Sequence, residues 1–233
     1  AEGRAMSKSL GNVIEPMEVI KTHGAEVLRL WAASLVFGED ATISGEMLTR
    51  LSEAYRKLRN TFRYCLANLY DFDPMKDSVK PDQLEELDVW ALAQTAEVLE
   101  RVKAGYEEYA FHKVYRTVYD FATVDLSAFY FDILKDRLYT APARSTRRRS
   151  AQTALYRIAD ALVRAVAPIM CFTADEVWSY SPRQDSRGER EPSVHMATFV
   201  SPDELRRGLP AKHLDRLANW PRLIAVRNKV LKP

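Results

Sequence analysis

Between residues 46 and 71 the apolar side chains Leu51, Tyr55, Leu58, Phe62, Cys65 and Leu69 recur at spacings of three and four. That repeat sets six side chains on one face of a helix and leaves the other face to water. The alternation that a half-buried strand requires is missing. A helix of this length draws most of its stability from packing its apolar face, so the chain must supply partners for it.

The partners are legible. Residues 84–110 carry Trp90, Leu92, Ala96, Leu99, Val102 and Tyr106 at helical spacing, and residues 111–139 continue in helical period with Tyr115, Tyr119, Phe121, Phe129, Tyr130 and Phe131. A further helix is predicted over residues 150–170. Thr173 with Glu176 three residues on reads as a capping box opening a short helix through Val177 and Trp178. Upstream, Pro16 suits a helix start and Gly24 a helix end, followed by a second helix over residues 25–38. Residues 71–81 hold two prolines and form a loop. "SVHMATFV" fits one short strand or an extended segment, and helical patterning returns from Pro202 through Leu214, Leu217, Leu223 and Val226. The sum is an all-α fold, a helical bundle of about five long helices. The aromatics of residues 115–131 have the flat faces that stack on unpaired bases, but their helical spacing assigns them, with Trp90, Trp178 and Trp220, to the core.

With 233 residues there is ample chain for such a core. The formal net charge of +2 excludes a polycation. Any affinity for nucleic acid must therefore come from where the charges lie. The two cysteines, Cys65 and Cys171, stand far apart in apolar segments, with no CxxC pair, so no zinc site is expected within the chain. No apolar run spans a bilayer, and no membrane partner is expected. His23 and His112 have no nucleophile and acid ordered around them. Ala1 opens the chain in a loop, and "AVRNKVLKP" closes it in or just past a short helix, which reads as a piece of a longer protein.

Charge is concentrated in two places. Residues 50–63 hold Arg50, Arg56, Lys57, Arg59 and Arg63 against Glu53 alone. Arg56, Arg59 and Arg63 share a face offset from the apolar stripe. Like charges on one helical face repel, and a phosphate backbone opposite them relieves that repulsion. A solvated face paired with Asp71, Glu86 or Asp88 is the competing reading. Asn60 on the same surface is a candidate for base recognition. The second cluster is Arg144, Arg147, Arg148 and Arg149, placed where a helix dipole disfavours positive charge. Contact with RNA and simple solvation both remain open for it.

The opening stretch, "GRAMSKSLGN", has the composition of a phosphate-binding loop. Glycines let backbone approach an anion, serine hydroxyls donate to phosphate oxygens, and Lys8 supplies a point charge. Spacing alone does not separate this from an ordinary solvated loop.

The letters go further. "AMSKSLGNVI" resembles the KMSKS signature of class I aminoacyl-tRNA synthetases. "EPMEVIKTHGAEVLRLWAAS", "RLSEAYRKLRNTFRYCLANLYDFDP", "FHKVYRTVYDFATVDLSAFYFDILKDRLY" and "RRSAQTALYRIADALVRAVAPIMCFTADEVW" resemble the segments that follow it in the bacterial isoleucine branch. The resemblance covers nearly the whole chain, and "DLSAFYFDILKDRLY" differs in the valine and leucine branches. It implies an ATP-dependent ligase, using Mg2+, that joins isoleucine to tRNA(Ile) through an aminoacyl-adenylate. It implies a cytoplasmic monomer. It makes Met6, Ser7, Lys8 and Ser9 the ATP-binding residues, with Lys8 the catalytic group that stabilises charge on the leaving pyrophosphate and Met6 an anchor into the core. Ala5 stands where the motif has its first lysine. It assigns tRNA contact to Arg56, Arg59, Asn60 and Arg63.

The implied organisation is the end of a Rossmann-type catalytic domain with connecting helices over residues 1–45, an anticodon-binding helical bundle over 46–182, and a linker with the start of a C-terminal region over 183–233. No HIGH-type motif occurs in the chain, so this polypeptide alone is expected to be inactive in isoleucine activation. A stand-alone RNA-binding helical module and a valine-specific enzyme are the alternatives.

Overall fold

The computed structural model describes residues 6–36, 38–185 and 188–231. Their helices are α1 (Pro16–His23), α2 (Ala25–Ser34), α3 (Gly45–Asn68), α4 (Glu86–Glu107), α5 (Phe111–Asp120), α6 (Phe131–Thr140), α7 (Thr146–Val166), α8 (Cys171–Ser179), α9 (Pro202–Arg206), α10 (Ala211–Leu214) and α11 (Trp220–Leu231). A two-strand hairpin of β1 (Gln184–Asp185) and β2 (Gly188–Glu189) sets Gln184 opposite Glu189. The fold is an all-α bundle.

The predicted stripe of α3 faces inward. Leu51, Leu58, Phe62, Cys65 and Leu69 are buried, and Tyr55 packs against them half-buried. Ser44 caps the helix by accepting from the Met47 amide at 3.2 Å. The central element is α7, whose residues from Ser150 to Val166 are buried with the exception of Arg157. It packs along α4, α3, α6 and α8. Helices α1 and α2 lie against α3, while α9 and α10 cover α4.

Four long rods form the bundle: α3, α4, α7 and the run from Phe111 to Thr140. The last is no uniform α-helix. Residues Phe121–Tyr130 between α5 and α6 wind as a π-helix, with helical backbone at both junctions. Phe121, Leu126 and Phe131 are all buried and recur every five residues. In a π-helix hydrogen bonds run to the fifth residue on, which keeps residues five apart near one face, and the apolar contacts hold it. The expected stretch of plain helical period is corrected here.

The expected capping box at Thr173 is also absent. Helix α8 begins earlier, at Cys171, and Thr173 lies inside its first turn. Its amide donates to Glu26 Oε1 of α2 at 2.7 Å. A carboxylate from a distant helix does the work of the local cap. The segment "SVHMATFV" forms a short 3-10 turn at Val194–Met196 and then runs extended without pairing to the hairpin.

Tyrosines in the core find partners for their hydroxyls. Tyr130 donates to Asp88 Oδ1 at 2.8 Å, Tyr64 to the Phe131 carbonyl at 3.2 Å and Tyr106 to the Ala165 carbonyl at 2.9 Å. Tyr64 also stacks on Phe131 at 4.2 Å between ring centroids. Trp90 meets Phe129 edge-on at 5.0 Å and Trp220 at 5.9 Å. The aromatics between residues 115 and 131 are therefore packing residues, fully buried from Phe121 and half-buried at Tyr115 and Tyr119.

Candidate functional site

The loop ahead of α1 is built by short-range hydrogen bonds. The Ser7 amide donates to Asn12 Oδ1 at 2.7 Å, and the Leu10 amide donates to the Ser7 carbonyl at 3.1 Å. Ser7 and Ser9 share a hydroxyl–hydroxyl bond of 2.7 Å. Gly11 closes the turn at φ +61°, left-handed backbone that glycine adopts without penalty. Lys8 opens a single 3-10 turn, Lys8–Leu10. Its side chain and Ala5 lie outside the described residues. Met6 is 49% exposed and does not anchor in the core as expected. Ser9, Leu10, Gly11 and Asn12 are exposed as well.

On α3 the predicted polar face is real. Arg56, Arg59, Asn60 and Arg63 are exposed and lie within two turns of one another. Arg56 reaches back to the Ser52 carbonyl at 3.3 Å. Arg59 lies 3.7 Å from Glu176 of α8, both side chains about half exposed, a pair too solvated to hold the guanidinium tightly. Lys57 turns aside and donates to the Tyr119 hydroxyl at 3.2 Å. None of the acids suggested as competitors takes these arginines. Asp71 and Asp88 are committed elsewhere, and Glu86 meets Arg216 at 3.1 Å.

Asp71 settles part of the second basic cluster. Arg148 sets both terminal nitrogens on its carboxylate and donates through Nε to the Leu138 carbonyl at 3.1 Å. Arg149 donates to the Asp71 carbonyl oxygen at 2.9 Å and lies 3.4 Å from Asp77. Both arginines are withdrawn from solvent. They are structural, and the acid beside the α7 N-terminus offsets the dipole penalty. Arg144 and Arg147 remain exposed. The Arg148 hydrogen bond holds the Asp71 carboxyl below the usual range against the opposing effect of its desolvation.

Beyond Arg63 the α3 surface becomes a groove against α8. Arg59, Arg63, Leu66, Ala67 and Tyr70 form one wall, with Thr173, Glu176, Val177 and Tyr180 opposite, around about 590 Å³. A second concavity of about 710 Å³ adjoins it and shares Leu66, Tyr70 and Tyr180. The walls are fixed. Tyr55 of α3 bonds the Thr173 hydroxyl at 3.1 Å, and Arg29 of α2 donates to the Ile169 and Pro168 carbonyls at 2.7 and 2.8 Å, just ahead of α8. Sequence reasoning missed Tyr70 and Tyr180. The available signal was that each follows the last apolar residue of its helix stripe, Tyr70 one position after Leu69 and Tyr180 two after Trp178.

Among the described residues, no cluster of three or more His, Cys, Asp or Glu is gathered to hold a metal ion. No described helix is long and apolar enough to cross a membrane. Burial pushes the Cys65 thiol up to about 12.

Residues 88–230 match the family described as the anticodon-binding domain of tRNA ligase, and residues 1–44 match tRNA synthetases class I (I, L, M and V). The isoleucine–tRNA ligase of Syntrophotalea carbinolica is 53% identical over 85% of this chain and 21% of its own length. Those of Geobacter sulfurreducens and Desulforudis audaxviator are 50% and 48% identical over 99% of this chain and 24% of theirs. The chain thus spans about a quarter of the length of these relatives. A LeuRS of Agrobacterium radiobacter K84, solved in a ternary complex with tRNA and LeuAMS, superposes with a TM-score of 0.62 at 19% identity, over 88% of this chain and 23% of that one. At that identity the likeness concerns the fold alone.

Proposed function

Because this chain belongs to the anticodon-binding-domain family of tRNA ligases, we propose that it is a segment of an isoleucine–tRNA ligase that holds tRNA(Ile) on the outer face of α3. The observation that carries the reading is the coincidence of that family match with an exposed Arg56–Arg59–Asn60–Arg63 surface on which the one acid close by, Glu176 at 3.7 Å from Arg59, is itself half exposed. The identities of 48–53% to isoleucine enzymes favour isoleucine over the valine alternative.

The parent reaction is ATP-dependent aminoacylation through an aminoacyl-adenylate. The turn at residues 6–12 fits a polyphosphate. Its two serine hydroxyls meet on an exposed surface, and Gly11 leaves the backbone open to an anion. ATP, carried with Mg2+, supplies the adenylyl group and the pyrophosphate leaving group. Ser7 and Ser9 donate to phosphate oxygens, and Lys8 follows the charge that grows on the leaving group. In this reading residues 1–45 end the catalytic domain, 46–182 form the anticodon-binding bundle, and 183–233 lead into a C-terminal region. The parent acts as a cytoplasmic monomer.

The test is binding of the chain to tRNA carrying the isoleucine anticodon and to tRNA carrying the valine one, across a salt series. The expected result is tighter binding of the isoleucine tRNA and affinity that falls as salt rises. R56A, R59A and R63A should each flatten the logarithmic salt slope by about 0.7–0.9 for every arginine–phosphate pair removed. Equal binding of both tRNAs would overturn the specificity. A slope unchanged in all three variants would overturn the interface.

A further inference from the structure

The groove between α3 and α8 does more than extend the basic face. Two tyrosine rings stand at its junction with the adjoining concavity, Tyr70 at 82% exposure and Tyr180 at 74%. The core tyrosines Tyr64, Tyr106 and Tyr130 bury their rings and bond their hydroxyls inside. Tyr70 and Tyr180 leave their rings in water beside an apolar floor that includes Leu66 and Val177. Leaving two large rings in water forgoes the burial energy that the core tyrosines gain. Arg59 and Arg63 line one end of the groove, and Arg183 lines the adjoining concavity.

Flat rings set between cations, over an apolar floor, match the chemistry of unpaired nucleotides. The base presents a π-face to stack, and the phosphates on either side present charge to the guanidinium groups. A folded protein partner of ordinary composition offers no such alternation of ring and anion. Glu176 opposes an anion only partly, since it already lies 3.7 Å from Arg59.

We infer that Tyr70 and Tyr180 are stacking platforms for splayed, single-stranded nucleotides, seated in the α3–α8 groove with their phosphates toward Arg59, Arg63 and Arg183. The inference rests on the tRNA-binding reading and deepens it. It moves base recognition from the aromatics of residues 115–131, which serve the core, to two tyrosines at the ends of α3 and α8. The occupants are unpaired loop nucleotides of the tRNA, not its paired stems, because a paired base has no free face to give.

The experiment uses the 233-residue chain and an RNA hairpin with the isoleucine anticodon loop, titrated across a salt series. Y70A and Y180A should each weaken binding by about tenfold at unchanged salt slope, because stacking exchanges no counterions. Y70F and Y180F should bind like the unmodified chain, since the ring is kept. Y180A and Y180F should keep the unmodified denaturation midpoint. The Tyr70 hydroxyl meets Arg148, so Y70A and Y70F are compared with each other, a loss of midpoint being common to both and a loss of affinity confined to Y70A. As a measurement independent of substitution, hairpin carrying 5-iodouridine in its loop should photocrosslink the unmodified chain at Tyr70 or Tyr180.

Phenylalanine variants as weak as the alanine ones would overturn stacking in favour of hydroxyl contacts. Alanine variants that bind normally, or crosslinks only at other residues, would overturn this inference and leave the tRNA reading intact. No binding by the unmodified chain would overturn both.

Discussion

Arg148 grips Asp71 from two sides, with Nη1 2.5 Å from Oδ2 and Nη2 3.1 Å from Oδ1. The pair joins the start of α7 to the end of α3, and Gln152 adds a bond from its Nε2 to Asp71 Oδ1 at 2.8 Å. Removing Arg148 takes the nearest cation from Asp71, which keeps the Gln152 bond and Arg149 at 3.7 Å. R148A is expected to lower stability by about 1–3 kcal/mol. Urea denaturation reads this as a lower midpoint at unchanged slope. The logarithmic salt slope of RNA binding in the same variant should stay as it was, because this arginine is buried against Asp71 and meets no phosphate.

The same pair makes stability depend on acid. The Arg148 hydrogen bond depresses the Asp71 carboxyl in the folded state. A depressed carboxyl stabilises the fold in full above its unfolded value of about 3.9, and the contribution is lost as pH falls through the lower folded value. Thermal melts should therefore decline below about pH 4, and D71N should flatten that decline. Glu100, held low by Arg206, adds less because it is exposed. Asp125 works with the opposite sign, since desolvation raises its carboxyl.

At Gly105 α4 runs close against α5. A Cβ there would stand 2.7 Å from Val114 Cγ2, and Val114 is buried and stiff at χ1. Alanine usually gains in a helix, but Gly105 sits in the last turn of α4, where that gain is small. G105A should be destabilising by about 1 kcal/mol. In a V114A background the same change should cost less, and a double-mutant cycle in denaturant measures the coupling.

The two cysteines should separate in reactivity. Cys65 is buried, with its thiol pushed up to about 12, whereas Cys171 is partly open. A chromogenic disulfide reagent at neutral pH should titrate one thiol per native chain quickly and the second only in denaturant. Two fast equivalents would contradict the burial of Cys65.

What could be read in advance followed from local pattern. The stripe of α3 declared its buried face because Leu51, Leu58, Phe62, Cys65 and Leu69 need only helical geometry to line up. The exposed arginines of α3 were legible for the same reason. Arg148 and Arg149 were not, because their partner is 77 and 78 positions away and no periodicity encodes it. Thr173 was misread through a longer separation still, since Glu26 reaches it across 147 positions. Tyr70 and Tyr180 escaped because a tyrosine at a helix end reads as core until the groove between the two helices is seen.

The π-helix at Phe121–Tyr130 fixes an angle. Ten residues wound with bonds to the fifth residue on turn through about half a turn less than the same ten in α-form. Everything after Tyr130 is rotated by that amount. Arg137 lies in α6, seven residues on, and places Nη1 and Nη2 at 2.9 and 2.8 Å from the two oxygens of Asp88. Wound as plain α-helix, the rod would carry that guanidinium to the far side and leave the fully buried Asp88 carboxylate without its counter-ion. The slack winding of one segment is thus the phase setting of the next, and the length of the aromatic stretch is as constrained as its composition.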